Sequence, residues 1–361
     1  MIGDTRREER AGTGTWTEPG AYEIVPGVVR IPLPMPGDAL RAVNVYLLAQ
    51  PGGFTLIDGG WAIDEARQAL ERSMGLIGAR PDQIRRVLVT HAHRDHYTLA
   101  VILRREFGAS VGLGWGERHT IQILTARTRH VQYAPLIDLL AAAGAGDLLR
   151  RIERKTGYVD PRADGWETPD LWLQPGCVAV GEAELRIIPT PGHTMGHVVF
   201  ADTGRGLLFA GDHVLPHITP SIGVEGVAAP SPLKSYLDSL RTVRALPDLM
   251  LLPAHGPVAP SSHARVDELF AHHDTRLADI RRIASARPAT AAEIAGQLTW
   301  TRRGRSFGEL DDFNQMLAIG ETVAHLRVLV SAGLLSTAAE GLVTLYSAGA
   351  ATPDSAGPLP R

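Results

Sequence analysis

The chain has 361 residues, 44% of them hydrophobic, and a formal net charge of −3. That is enough for a sizeable core and more than one domain, and the bulk charge does not point to a polyelectrolyte-type binder of nucleic acid, while a local basic patch stays open. The single cysteine, Cys177, excludes an internal disulfide and a thiolate metal cluster, so any metal is held by histidine and carboxylate.

Residues 1–20 are charged and glycine-rich, lack the apolar core of a signal peptide, and read as a flexible tail. No apolar run is long enough to span a bilayer, so a soluble cytoplasmic protein is expected. "GVVRIPLP" and "VNVYLLAQ" are rich in β-branched and aromatic residues and predict strands. "GGFTLIDGG" predicts a short strand stopping at Asp58, and "IDEARQALERSMGLIG" a helix by its apolar spacing. "IRRVLVTHAHRDH" predicts a buried strand that ends where the histidines begin. "YTLAVILRREFG" predicts a helix closed by Gly108, and "ASVGLGW" a further strand. The run "THAHRDH", residues 90–96, is thereby placed in a strand-to-helix loop, where open α/β sheets build their sites.

Residues 117–170 interrupt the strands with one or two helices and a turn-rich stretch. The segment reads equally as a lid or pocket wall and as a plain surface insertion. Strands resume with "CVAV", "LRIIPT", "HVVFAD" and "GLLFAGD"; a helix, "PLKSYLDSLRTVRAL", and a last strand, "DLMLLPAHG", follow. Three helical patterns and the two-stranded "LLSTAAEGLVTLYS" then match a winged-helix plan over 261–346, and 347–361 read as a second flexible tail.

Four segments place candidate ligands just after apolar strands: His91, His93, Asp95 and His96; His193; Asp212; and His255. Zinc-like divalent ions take imidazole nitrogen and carboxylate oxygen, and a hydrolytic site keeps a position open for water. A lone histidine is more often a satisfied core residue; an ordered set at four strand ends points to metal.

With "THAHRDH" as an H-x-H-x-D-H motif, followed by "PTPGHTMGH", "FAGDH" and "LLPAHG", the sequence resembles the metallo-β-lactamase superfamily over about residues 21–260. The resemblance implies an α/β (α+β) fold, an αββα sandwich with a two-metal cleft over 21–260, and a small C-terminal winged-helix domain similar to that of one branch of the superfamily. By position, His91, His93 and His193 would hold one ion, Asp95, His96 and His255 the second, and Asp212 would bridge them. A water between two cations loses a proton near neutral pH, which makes Asp95, Asp212 and the resulting hydroxide the implied catalytic groups. Asp212 stands where many antibiotic-hydrolysing members carry cysteine, and His93 where the oxygen-reducing diiron branch carries glutamate. Both point to general hydrolases similar to glyoxalase II, lactonases, thioesterases and ribonuclease-like members. Many relatives have a glycine soon after the motif; here Thr98 follows Tyr97.

Asp58 in "LIDGG" resembles the family's first motif and would orient the histidine loop. Tyr97, His213 and His217 are candidates for the substrate cleft, against a packing role for Tyr97 and ordinary loop roles for the histidines. His197 reads as structural, Tyr236 as helix packing, His272 and His273 as solvated or at a domain interface, and His119 and His130 as lid residues. Trp115, Tyr133, Tyr158, Trp166 and Trp172 gather around the insertion, as an apolar pocket or as its anchor. Arg302, Arg303 and Arg305 read as a solvated basic loop, and Arg94 as facing solvent or a carboxylate.

The expected activity is hydrolysis of a small ester, thioester or lactone using two divalent ions, zinc first, with iron or manganese as alternatives. The rivals are a phosphodiesterase acting on RNA and a non-catalytic regulator that binds a metabolite. A small-molecule partner and no membrane are expected. Nucleic acid is disfavoured because the candidate recognition helix "GETVAHLRVLVSAG" has few cations, which leaves the C-terminal domain to cap the cleft or form a homodimer contact.

Overall fold

The computed structural model describes residues 6–7, 16–125, 129–155, 165–225, 230–301 and 304–349. Its elements in chain order are β1 (Arg6–Arg7), β2 (Tyr22–Val25), β3 (Val28–Pro34), β4 (Ala42–Gln50), β5 (Gly53–Ile57), α1 (Asp64–Leu76), β6 (Ile84–Val89), α2 (Arg94–Phe107), β7 (Ser110–Gly114), α3 (Arg118–Thr125), α4 (Arg129–Ala142) and α5 (Gly146–Lys155). There follow β8 (Leu171–Leu173), β9 (Gly176–Val180), β10 (Ala183–Pro189), β11 (Val198–Asp202), β12 (Leu207–Gly211), α6 (Pro232–Arg244), β13 (Met250–Pro253) and α7 (Ser262–Ala286). The last are β14 (Ala289–Thr290), α8 (Ala291–Ala295), β15 (Thr299–Trp300), β16 (Arg305–Ser306), α9 (Asp312–Ser331), β17 (Leu335–Glu340) and β18 (Val343–Ala348). They divide into two units, Met1–Arg127 with Asp160–Pro220 and Ser239–Val266, and Thr128–Val159 with Ser221–Asp238 and Asp267–Arg361. The insertion read from sequence as one segment is thus shared: its two ends belong to the first unit, and α4 and α5 to the second.

In the first unit, strands β1 to β8 form one sheet in sequence order, antiparallel from β2 to β5 and parallel from β5 to β8. A second sheet has the order β13-β12-β11-β10-β9. Side chains alternate across a strand, and the alternation sorts the core into two layers. Val28, Tyr46, Leu48, Ile57 and Leu88 of the first sheet pack with Leu185, Ile187, Phe200, Phe209 and Leu252 of the second. Their neighbours Val29, Val45, Leu47, Leu56, Val87 and Val89 pack with Leu70 and Met74 of α1 and Leu99, Val101 and Leu103 of α2. Burial on both faces explains why these strands read as nearly continuous apolar runs. The architecture is the expected α/β one, two facing sheets with helices outside.

Helix α2 begins at Arg94, earlier than the expected start at Tyr97. Nothing in "RDHYT" opposes a helix, and Asp95 in the first turn complements the positive end of the helix dipole. Asp95 and His96 therefore sit on a helical turn instead of in a loop. Gly108 ends the helix with a left-handed φ of 74°, as expected.

In the second unit, α9 packs against α4, α5 and α8, and β14, β18 and β17 form a three-stranded sheet. His273 is buried here and is not solvated: its Nδ1 lies 3.1 Å from Nε2 of His325, and Tyr236 packs edge-on to its ring at 5.5 Å. Helix periodicity alone did not reveal which face of α7 these residues occupy. No helix among the described residues is long and apolar enough to cross a membrane.

Candidate metal centre

Five strand ends of the first unit supply the site. Strand β5 runs into Asp58, held at a left-handed φ of 60° while its N–H donates to Leu88 O at 3.0 Å. Gly59 follows because a Cβ there would lie 2.6 Å from the backbone nitrogen of Ala100; α2 crosses that close. Thr98 strengthens this crossing, since its hydroxyl accepts from Ala62 N–H at 2.9 Å and donates to Arg94 O at 2.6 Å. Strand β6 delivers Thr90, His91 and His93. The β10–β11 loop carries His193 and is closed by bonds from Thr190 N–H to His197 O (2.8 Å) and Gly192 N–H to Thr194 O (2.9 Å). Asp212 follows β12, and His255 follows β13.

Three of the rings, His91, His96 and His255, are aimed by a bond on the far side. His96 Nδ1 donates to Asp58 Oδ2 at 2.9 Å, and His255 Nδ1 to the backbone oxygen of Ala42 at 2.8 Å. His91 Nδ1 sits 3.0 Å from Thr90 Oγ1, whose hydroxyl bonds Asp58 at 3.0 Å. With those protons on Nδ1, the Nε2 lone pairs of His91, His96 and His255 face inward. The His255 turn is held in addition by Asn44, whose Nδ2 donates to Pro253 O (3.0 Å) and Gly256 O (2.8 Å) and whose Oδ1 accepts from the buried Arg30 (2.9 Å). His197 bonds Thr190 through Nδ1 at 2.8 Å and accepts from Asp212 N–H through Nε2 at 3.2 Å, so it positions Asp212, in keeping with a structural role.

The inward atoms form two groups that could each hold a metal ion, His91, His93, His193 and Asp212, and Asp95, His96 and His255, with the atoms of each group within 4.8 Å of one another. His193 Nε2 is 3.1 Å from His93 Nδ1 and 3.5 Å from Asp212 Oδ2. The other Asp212 oxygen, Oδ1, is 3.6 Å from His96 Nε2 and 3.4 Å from His255 Nε2. Asp95 Oδ2 is 3.3 Å from His255 Nε2 and 3.5 Å from His96 Nε2. Ligands about 2.0–2.2 Å from one tetrahedral ion stand about 3.3–3.6 Å apart, close to the 3.1–3.6 Å found here. His91 Nε2, His96 Nε2, His255 Nε2 and Asp212 Oδ1 are buried and have no hydrogen-bond partner. Buried polar atoms are otherwise nearly always paired, so the donor set fits cations. Asp212 turns one oxygen to each group, as a bridge requires.

The electrostatics agree. Burial, reinforced by neighbouring rings, drives His91 well below its ordinary pKa and His93 down to about 3, keeping both neutral. Burial also opposes charge on His96, but Asp58, Asp95 and Asp212 outweigh it and push its pKa up to about 10. Burial works against ionised Asp95 as well, yet His96 and His255 hold its pKa well below the carboxylate range. Carboxylates here draw protons onto histidines, and a divalent ion can replace those protons.

Several expected residues lie elsewhere. Tyr97 does not face a cleft: it is fully buried, its ring stacks on Trp166 at 5.7 Å, and its hydroxyl donates to Glu167 O at 2.7 Å. Trp166 thus anchors the end of the insertion. His213 is fully buried beside His197, with ring centroids 6.0 Å apart, and is no open cleft wall; burial lowers its pKa to about 3. His217 is half-buried and His119 exposed. Trp115 is exposed and edge-on to Trp172. Arg94 covers the Trp61 ring at 4.2 Å and reaches Asp38 at 3.4 Å. The side chains of His130 and Tyr133, and Tyr158, Arg302 and Arg303, lie outside the described residues. Sequence reasoning missed Glu117, a fully buried carboxylate that accepts from the Thr194 hydroxyl beside His193. Its only signal is an acidic residue directly after the glycine-spaced strand end "GLGWG".

The family model for the metallo-beta-lactamase superfamily matches residues 38–255, which contain every donor named above. A probable metallo-hydrolase of Bacillus subtilis is 24% identical over 332 residues, covering 87% of this chain and 94% of that protein. Among solved structures, a metallo-beta-lactamase family protein from Thermus thermophilus has a TM-score of 0.75 and 26% identity, covering 90% of this chain and 100% of its own. A beta-lactamase domain protein from Burkholderia ambifaria has a TM-score of 0.75 and 27% identity, covering 93% and 96%.

Proposed function

This chain belongs to the metallo-beta-lactamase superfamily, and within it we propose a cytoplasmic dinuclear metal-dependent hydrolase of a small ester, thioester or lactone. The carrying observation is the pair of donor groups joined by Asp212, whose two oxygens face one group each. His91, His93, His193 and Asp212 would hold one ion, and Asp95, His96, His255 and Asp212 the other. Two divalent ions, zinc first, with iron or manganese as alternatives, would supply Lewis acidity and lower the pKa of a water between them.

The chain's own contribution is placement. Asp58 fixes the His96 tautomer, and the Ala42 carbonyl fixes that of His255. Asp95 and Asp212 carry the negative oxygens that would face the ions and orient an attacking water. Burial of the donors keeps bulk water from competing with them.

The C-terminal helices and three-stranded sheet we read as a winged-helix module. Helix α9, its candidate recognition helix, buries Met316, Ile319, Val323, Leu326 and Leu329 within its own unit, and Phe313, Arg327 and Ser331 are its exposed residues. That favours the ester-type reading over RNA cleavage.

The test is a hydrolysis panel of esters, thioesters, lactones and a single-stranded RNA, run on protein of measured metal content. Hydrolysis of an ester-type substrate at about two ions per chain, lost by orders of magnitude in His255→Ala, is the expected result. Active protein without stoichiometric metal would refute the reading, and cleavage of RNA alone would replace it with the phosphodiesterase.

A further inference from the structure

Glu117 is a buried ionisable group beside the centre that the proposed chemistry does not use. It lies just beyond β7, in a short turn whose backbone is pressed against the His193 loop. A Cβ on Gly114 would lie 2.3 Å from Gly196 O, one on Gly116 2.6 Å from the Gly196 Cα, and one on Gly196 2.0 Å from the Glu117 nitrogen. Three glycines at one crossing show that the approach is backbone to backbone. It brings the fully buried Glu117 carboxylate onto the Thr194 hydroxyl, which donates to Oε1.

Thr194 adjoins His193. The backbone N–H groups of Ala92, which lies between His91 and His93, and of Gly196 also act on the carboxylate. Burial pushes the Glu117 pKa up, and the Thr194 hydroxyl and those two amides act against it by favouring the ionised form. The carboxylate therefore bonds the His193 loop through Thr194, and the Ala92 amide of the His91–His93 turn favours its charge. No group of the Asp95, His96 and His255 set is among its partners in these contacts.

We propose that Glu117 is a positioning residue that ties the His193 loop to the His91–His93 turn and so sets the fit of the ion held by those three histidines. This rests on the metal reading above. The bland alternative is a buried carboxylate that only stabilises the fold.

The two are separated with full-length protein stripped by chelator and titrated with Co²⁺, whose d–d absorption distinguishes the two donor sets, alongside the apo-protein melting temperature. Wild type is expected to take up two ions. Glu117→Gln keeps the shape but turns an amide NH₂ toward the Ala92 and Gly196 amides. It should weaken the His91, His93 and His193 ion about 10–100-fold, leave the other ion within about twofold, and leave the apo melting temperature nearly unchanged. Thr194→Val removes the hydroxyl without touching Glu117 and should weaken the same ion in the same direction. It keeps the test valid if Glu117→Gln folds poorly. Wild-type-like affinity for that ion in either folded variant overturns the proposal, as does equal weakening of both ions in step with a lowered apo melting temperature. No Co²⁺ uptake by wild type would instead overturn the metal reading, and this proposal with it.

Discussion

Replacing Asp58 with asparagine changes one atom and should reset one tautomer. In the native protein Asp58 Oδ1 accepts from Thr90 N–H at 2.7 Å, and Oδ2 accepts from His96 Nδ1 at 2.9 Å. Asparagine can keep its oxygen on Thr90, but its NH₂ then meets His96 Nδ1, donor against donor. His96, protonated on both nitrogens in the apo wild type, relieves the clash by giving up its Nδ1 proton and keeping the one on Nε2, the atom 3.5 Å from Asp95 and 3.6 Å from Asp212. That atom then donates to a carboxylate and has no lone pair for an ion. Binding must reverse the switch and restore the clash. A lost hydrogen bond to a charged group amounts to about 1.5–3 kcal/mol, and lost ligand-orienting partners to about 10–100-fold in metal affinity; the two ranges agree, because tenfold is about 1.4 kcal/mol. Metal titration of the stripped Asp58→Asn protein should therefore show the Asp95, His96 and His255 ion weakened by that factor, with the other ion far less affected. Nitrogen-15 NMR of the His96 ring in the apo protein should show the proton on Nε2. An unchanged tautomer with unchanged affinity would refute the reasoning.

Tyr97→Phe should remove the bond to Glu167 O but keep the stack on Trp166. About 1 kcal/mol of stability should be lost in urea unfolding with kcat and KM unchanged, and an altered KM would restore Tyr97 to the cleft. The second unit should weaken in acid. Burial, opposed by Glu321, lowers the His325 pKa to about 4, and Glu321, Arg276, His272 and His273 surround it. A pKa lowered by folding gives stability that is complete above the ordinary value near 6.5 and is lost as pH falls toward 4, on the order of 3 kcal/mol in all. Unfolding free energies measured from pH 7 to 4 should show that slope in the wild-type chain and a shallower one in His325→Gln; equal slopes would count against it.

Most of the candidate metal donors were legible because they follow an apolar run, and a run long enough to be a strand says where the next residue goes. His91, His193, Asp212 and His255 all follow this rule, and Asp58 does so one strand earlier. What escaped were contacts between segments with no shared periodicity. Glu117 looks like any surface glutamate until the glycines at 114, 116 and 196 are seen to close one crossing. Tyr97, beside a ligand in sequence, faces the other way because α2 starts at Arg94 and carries it round to Trp166. The split of the insertion between two units was equally hidden, since helical spacing in α4 and α5 records a buried face and not what buries it.

The same logic explains why the centre is assembled at this edge. Its donors leave both sheets, from β6 on one and from β12 and β13 on the other, and every Nδ1 contact described for His91, His96 and His255 is made to the protein's own backbone or to Thr90 and Asp58. The fold satisfies the outer side of these three rings and leaves their inner side unpaired, at about 1–3 kcal/mol for each buried orphan atom. An ion that satisfies these atoms therefore both recovers that energy and links the two sheets. Mutations at the outer contacts, in Asp58, Thr90 or Asn44, should act on metal affinity without touching a metal, because the direction of the lone pairs is a property of the packed interior.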